Sequence, residues 1–400
     1  MLNAHVKYIR DGLVEQEHHG VVVTIGHCER PSGAWQSINS GKLKVESGKL
    51  GNVKTEHLLN CEFDNKNLNN FQLSTFHFQL NQPFYLRSCA KPLQASLMID
   101  FGTDEFFGFT EEEIALCCAS HAGEKIHTGI AQNILDKIGL DRTYLKCGIH
   151  KPLSKTRQNE MLLSGEQETE LHNNCSGKHL MMLAICKKNG WDLKSYDDRN
   201  HPLQIAIKNK IYELCECQTP SEGRGEGYSS NYPITTDGCG VPNVSIPSPT
   251  LPSPSGRVPE RREGVEYPIT TDGCGVPIMS VPLENMVKGY LNLFCNPKYE
   301  KIKNAFLNNP YVIGGEDRTD TKIIQNSENI VAKVGAGGLC VVVNTKTQEG
   351  FVVKIADCDM KARELVVIEM LKKLGWADIQ TDKTIKTLHG QIVGEICVTI

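Results

Sequence analysis

No stretch of the sequence approaches the ~18 consecutive apolar residues that a helix needs to cross a bilayer, so a helical membrane span is excluded. Met1 to Arg10 lack the apolar core of a secretory leader, and the expected location is the cytoplasm. Excess charge of either sign is missing as well. With 43 Lys and Arg against 47 Asp and Glu the net charge is −4, which gives no electrostatic case for nucleic acid or an anionic membrane surface. A small molecule is the expected partner. Cysteine is plentiful, at 16, yet no Cys-x-x-Cys pair occurs, which leaves no footing for a thioredoxin-like or zinc-ribbon site. Most thiols stand in apolar surroundings such as Leu116-Cys117-Cys118-Ala119 and are expected to be reduced core residues.

What is present points to one large α/β unit with insertions, since 400 residues at 40% hydrophobic suffice for a single large core. Val21 to Ile25 is a short β-branched run that reads as a buried strand, and His18-His19-Gly20 before it is expected to end a turn rather than bind metal. From about 31 to 80 the composition turns polar, as in a surface insertion. Arg87-Ser88-Cys89-Ala90-Lys91-Pro92 then sets a hydroxyl and an amine three residues apart at the start of a helix that buries Leu93, Leu97 and Met98. That spacing turns Ser88 and Lys91 toward one face. A serine is a poor nucleophile until a base takes its proton, and a lysine can be that base only if burial or a second cation lowers its pKa.

Thr110 to Glu113 fits a capping box and opens an apolar helix that runs into the polar loop Ser120-His121-Ala122-Gly123-Glu124. An amphipathic helix through Ile130, Ile134, Leu135 and Ile138 follows, stopped by Gly139. Asn173 to His179 precede a strongly apolar helix and place Cys175, Lys178 and His179 at i, i+3 and i+4, a cluster able to hold a metal or an anion. Tyr232 to Pro242 recurs letter for letter as Tyr267 to Pro277, and the Pro/Ser-rich stretch between the copies cannot build a core, so 218–266 is expected to be largely disordered. Only the second copy feeds directly into apolar-periodic sequence, from Met279 to Leu293, which makes Asp272-Gly273-Cys274-Gly275 the structural copy. From Ile330 three apolar runs separated by turns predict an antiparallel meander, with Lys333 on the first of them in need of a partner. Lys333 supplies the second cation.

Arg87-Ser88-x-x-Lys91-Pro92, Ser120-His121-x-Gly123-Glu124, Asn174-Cys175-Ser176-Gly177-Lys178-His179, Thr271 to Gly275 and Ala332-Lys333-Val334-Gly335-Ala336, in this order over most of the chain, resemble the Rhizobium etli type L-asparaginases, the thermolabile or rhizobial type II family. The resemblance implies a single catalytic domain with an α/β sandwich akin to serine β-lactamases and glutaminases, an antiparallel C-terminal sheet flanked by helices, and a site between the helical and sheet parts. It also implies hydrolysis of L-asparagine to L-aspartate and ammonia by a homodimer. Carried over, Ser88 with Lys91 forms one Ser-Lys pair and Ser120 with Lys333 the other. Ser88 is then the nucleophile, Lys91 its base, and Ser120 with Lys333 a proton relay. The residues agree, because two converging lysines depress each other from a reference pKa of about 10.4. Arg87, His121 and Asp272 are candidate substrate contacts.

The family's zinc is implied at Cys175, Lys178 and Cys274, tuning the site rather than activating water. Residue types alone favour Cys175, His179 and Cys274, which keeps His179 a candidate beside the metal. Were the first copy to occupy the site, Asp237 and Cys239 would replace Asp272 and Cys274. Two other readings compete. A penicillin-recognising or esterase-like serine hydrolase shares Ser-x-x-Lys and Lys333-Val334-Gly335 but expects an Asn two residues after Ser120, and an inactive metal-binding homologue is the non-enzyme alternative.

Overall fold

The computed structural model of the chain describes residues 1–26, 82–217 and 267–400. The insertion expected near 31–80 and the first copy of the repeat, with Asp237 and Cys239, lie outside them. Strands β1 (Leu2–Arg10) and β2 (Leu13–Ile25) form a hairpin closed by Asp11-Gly12, both at positive φ as a two-residue turn requires. After β3 (Pro83–Tyr85) and a single 3-10 turn at Arg87–Cys89 come the helices α1 (Ala90–Asp100), α2 (Thr103–Phe107), α3 (Glu111–Cys118), α4 (Lys125–Ile138), α5 (Lys155–Ser164), α6 (Ser176–Lys188) and α7 (Pro202–Leu214). The remainder runs β4 (Ile269–Thr271), β5 (Pro277–Pro282), α8 (Leu283–Phe294), α9 (Glu300–Asn308), α10 (Pro310–Ile313) and α11 (Thr319–Gln325). It ends with β6 (Ile330–Gly335), β7 (Leu339–Asn344), β8 (Glu349–Ile355), α12 (Met360–Lys373), β9 (Thr384–Lys386) and β10 (Ile392–Thr399).

The main sheet has the order β6-β7-β8-β2-β1-β10-β9, antiparallel throughout. The meander predicted from Ile330 onward is β6-β7-β8. The sheet is not confined to the C-terminal part, however: the N-terminal hairpin sits in its middle, β2 against β8 and β1 against β10. His18 and His19 accordingly lie inside β2 and end no turn, because β1 pairs along the strand and holds it extended. β6 and β7 are buried along their whole length, which explains their continuous apolar runs in place of alternation.

Helices cover both faces of this sheet. A Cβ on Gly350 would meet Val287 of α8 at 2.7 Å, while Phe351, pointing the opposite way, lies 5.7 Å from the ring of Trp376 just beyond α12. The fold is therefore α/β, with an antiparallel sheet between helical layers. In the larger helical layer α6 is buried all round from Ser176 to Cys186, as a helix with no polar face must be. Its close approach to α3 depends on Gly177, where a Cβ would lie 2.0 Å from the Leu116 carbonyl oxygen. The Thr110 capping box is formed, with Glu113 N–H donating to Thr110 Oγ1 at 3.3 Å and Thr110 N–H to Glu113 Oε2 at 2.7 Å. The apolar run from Met279 to Leu293 is two elements, β5 and α8, divided at Pro282.

Candidate active site

The Ser88 turn is pinned onto the sheet at the start of α1. Tyr290 Oη donates to the Cys89 carbonyl at 2.7 Å, and the Cys89 thiol donates to the Lys333 carbonyl on β6 at 3.2 Å. A Cβ on Gly335 would come within 3.0 Å of the Cys89 sulfur, so β6 and the turn touch only because that residue has none. Arg87 takes φ +49, the left-handed region that a non-glycine residue enters at a cost of order 1 kcal/mol, a form of strain that clusters at functional sites. Ser88 follows it half-buried, and its hydroxyl has no hydrogen-bond partner among the described residues.

One turn along, Lys91 is 1% exposed. Its Nζ donates to the Ala119 carbonyl at 2.8 Å and to the Asn174 carbonyl at 3.0 Å, and lies 2.8 Å from Ser120 Oγ. Carbonyls can only accept, so a neutral Lys91 would spend both its protons on them and take the Ser120 hydroxyl proton on its lone pair. Burial first, then the charges of Lys178 and Lys333, bring the Lys91 pKa down to about 8 against the opposing thiols Cys175 and Cys274. The contact differs from the expected pairing: Ser120 is bonded to Lys91, not to Lys333.

Lys333 is held by a group that the sequence did not point to. Its Nζ donates to Asp320 Oδ2 of α11 at 2.9 Å, and both side chains are fully buried. Burial alone would raise the Asp320 carboxyl, but Lys333, Arg318 and Arg363 outweigh it and hold the group below its ordinary value. A partner for Lys333 was required by its setting. Asp320 carries no local signature, since nothing in its own helix distinguishes it from an N-terminal acidic residue.

The two thiols and Lys178 lie together, the set named by the resemblance and not the one, with His179, that residue types favoured. Cys175 and Cys274 hydrogen-bond each other, and Lys178 Nζ lies 3.0 Å from the Cys274 sulfur and 3.7 Å from Asp272 Oδ2. That bond from Cys274, then Lys91 and Lys178, hold the Cys175 thiol well below its ordinary value against its burial, while the Cys274 thiol goes up: the pair shares one proton. Burial alone would lower Lys178, but Cys175, Cys274 and Asp272 outweigh it and raise it. Two sulfurs and an amine are a donor set that fits zinc, which prefers sulfur and nitrogen, provided the ion displaces the Lys178 proton and the shared one. His179 is engaged elsewhere through one of its nitrogens. Its Nδ1 is 2.7 Å from the Tyr196 hydroxyl, which itself accepts from the Lys146 N–H, so the hydroxyl donates to His179.

The three candidate substrate contacts differ in what they have free. Arg87 Nε lies 3.1 Å from Asp272 Oδ1, an ion pair without the alignment of a hydrogen bond, and the Arg87 side chain is 42% exposed. Burial would raise the Asp272 carboxyl, but Lys178 and Arg87 hold it below its ordinary value. His121 has both ring nitrogens engaged. Gly123 N–H donates to Nδ1 at 3.2 Å, which leaves Nε2 to donate to Ser176 Oγ at 2.9 Å. The ring is fully buried and stacked on His127, and burial with His127 and Lys91 keeps it neutral.

The chain thus brings Ser88, Lys91, Ser120 and Lys333 to one junction of helix and sheet, with the thiols and Asp272 beside them. Comparison with curated proteins gives no match. Residues 74–254 and 256–396 match the L-asparaginase II family. The two matched segments part inside the Pro/Ser-rich stretch, so that each holds one copy of the repeat. With most of its length matched, the chain belongs to the L-asparaginase II family, a family of asparaginase-type hydrolases.

Proposed function

We propose that the chain is a Rhizobium etli type L-asparaginase that hydrolyses the side-chain amide of L-asparagine through an acyl-enzyme on Ser88, in a fold akin to serine β-lactamases. What carries this assignment is the contrast between the two hydroxyls. Ser120 is 1% exposed, whereas Ser88 is half-buried with its hydroxyl uncommitted, so Ser88 is the one a substrate can reach. As the Ser88 oxygen attacks the amide carbon its proton passes to neutral Lys91, whose lone pair turns to it from Ser120 Oγ, and the resulting ammonium, by way of Ser120 or directly, protonates the departing nitrogen. Ammonia leaves and an ester remains on Ser88. Water then attacks the ester, giving a proton to Lys91, which passes it to Ser88 Oγ as the ester C–O bond breaks, and aspartate is released. Lys333, held in its ion pair by Asp320, acts on Lys91 by its charge and need not itself move a proton. At the entrance Arg87 offers a cation to the substrate carboxylate and Asp272 an anion to its ammonium. The experiment that tests the reaction class is ammonia release by the purified chain offered L-asparagine and L-glutamine, beside cleavage of a chromogenic β-lactam. Turnover of the lactam alone would move the chain to the penicillin-recognising reading.

A base of this kind fixes the sign of the pH dependence. Lys91 works only when deprotonated, so kcat/KM for L-asparagine should rise with pH along a limb with an apparent pKa of about 8. A profile flat from about pH 6 to 9 would remove Lys91 from this role.

Cys175, Lys178 and Cys274 would hold zinc, whose positive charge would fix the Asp272 loop and support substrate binding rather than supply a nucleophile. Substituting cobalt should give a thiolate-to-metal absorption band that disappears in Cys274→Ala and persists in Cys239→Ala. Equal loss in both variants would bring the first copy of the repeat into the site.

A further inference from the structure

We infer that His5, Glu17 and His19 form a second metal site, on the open part of the main sheet, for a divalent first-row transition ion of the zinc class. The strand register creates it. His5 of β1 stands directly opposite His19 of β2, and Glu17, two residues before His19, projects from the same face. On β2 that face is apolar and buried at Val21 and Val23, so the trio occupies the rungs where the core ends. The ladder fixes the backbone on both sides: β1 pairs β2 along its length, and the His19 carbonyl accepts from the Ala356 N–H at 2.8 Å.

The side chains are already gathered. The two imidazoles meet edge to face with centroids 4.8 Å apart, and one ligand atom from each of the three residues lies within 4.8 Å of the other two. Two ligands about 2.1 Å from a common ion can be at most about 4.2 Å apart, so closure needs a shift within the reach of a side-chain torsion. Among the described residues no other trio of His, Cys, Asp or Glu side chains converges in this way. Lys7, whose Nζ is 3.4 Å from Glu17 Oε1, is the cation the ion would displace.

Two imidazoles and one carboxylate favour zinc, nickel or copper over magnesium and calcium, which prefer oxygen ligands, and three protein ligands leave positions open to water. The trio lies outside the residues that match the L-asparaginase II family, and it is separate from the Cys175–Cys274 pair. An ion there would tie β1 to β2 in the middle of the sheet. Binding to the native state alone then raises the melting temperature in proportion to the logarithm of metal concentration.

The test uses the full chain stripped with a chelator and titrated with zinc chloride, in wild type and in His5→Gln/His19→Gln, each with and without Cys274→Ala. Wild type is expected to take up one more equivalent than the double variant in both backgrounds, and a zinc-dependent rise in melting temperature is expected to be lost with the histidines. Magnesium should compete with neither. The double variant should release ammonia from L-asparagine at the wild-type rate, since the trio takes no part in that reaction. Should it fail to fold, Glu17→Gln on the exposed end of β2 replaces it, with an expected loss of at least about tenfold in affinity for the additional equivalent. Equal stoichiometry and equal affinity in wild type and variant would overturn the inference.

Discussion

Replacing Ser88 by alanine should lower ammonia release from L-asparagine by about 10³-fold or more, as removal of a nucleophile does elsewhere, while leaving the melting temperature nearly unchanged. Stability is spared because the Ser88 hydroxyl makes no hydrogen bond within the described protein, so its loss strands no partner. Activity is not spared, because the hydroxyl that does contact Lys91 is out of reach: Ser120 is buried and already bonded to the amine at 2.8 Å. Mass spectrometry of enzyme quenched during turnover should find the acyl adduct on the peptide carrying Ser88. Near wild-type turnover in Ser88→Ala, or an adduct on Ser120, would transfer the nucleophile to Ser120 and make Ser88 an entrance residue.

How far the sequence reaches depends on whether a feature is set within a few residues or by packing between distant ones. The Thr110–Glu113 capping box and the Gly139 stop are local, and each is found where the pattern puts it, whereas the helix expected to carry both Ser88 and Lys91 begins only at Ala90, with Ser88 in the 3-10 turn before it. Buried strands β6, β7 and β8 announce themselves by continuous apolar runs. β1 and β10 do not, because strands with a wet face carry charged residues and their pairing joins the two ends of the chain. Asp11-Gly12 was a hairpin signal that, given weight, would have carried β2 back through His18 and His19. The exchange of partners within the site is of the same non-local kind. Ser120 meets Lys91 and not Lys333 because the loop after α3 passes beside α1, whereas β6 meets α11 and its Asp320. Five short motifs identify the residues that gather there, but who bonds whom follows from how α1, α3, α11 and β6 pack.

That buried pair leads to the largest expected effect on stability. Asp320→Asn leaves the Lys333 ammonium fully buried and unpaired, and breaking a buried pair from one side costs about 3–5 kcal/mol. Lys333→Met leaves the Asp320 carboxylate behind, although Arg318 and Arg363 still lower its pKa, so the cost should be smaller. The double variant Asp320→Asn/Lys333→Met removes both charges and should recover most of the loss, since buried ion pairs replaced on both sides are close to neutral. Ammonia release should not recover with it. Lys333 is one of the cations that lower Lys91 from its ordinary value, and without it the limb near pH 8 should move upward, so the double variant is stable but slow at neutral pH and regains rate as the pH rises. Chemical denaturation of the four proteins measures the first half of this cycle, and pH profiles of kcat/KM the second. If stability and neutral-pH activity return together, Lys333 serves only to pair Asp320, and the lowered pKa of Lys91 comes from its burial and Lys178 alone.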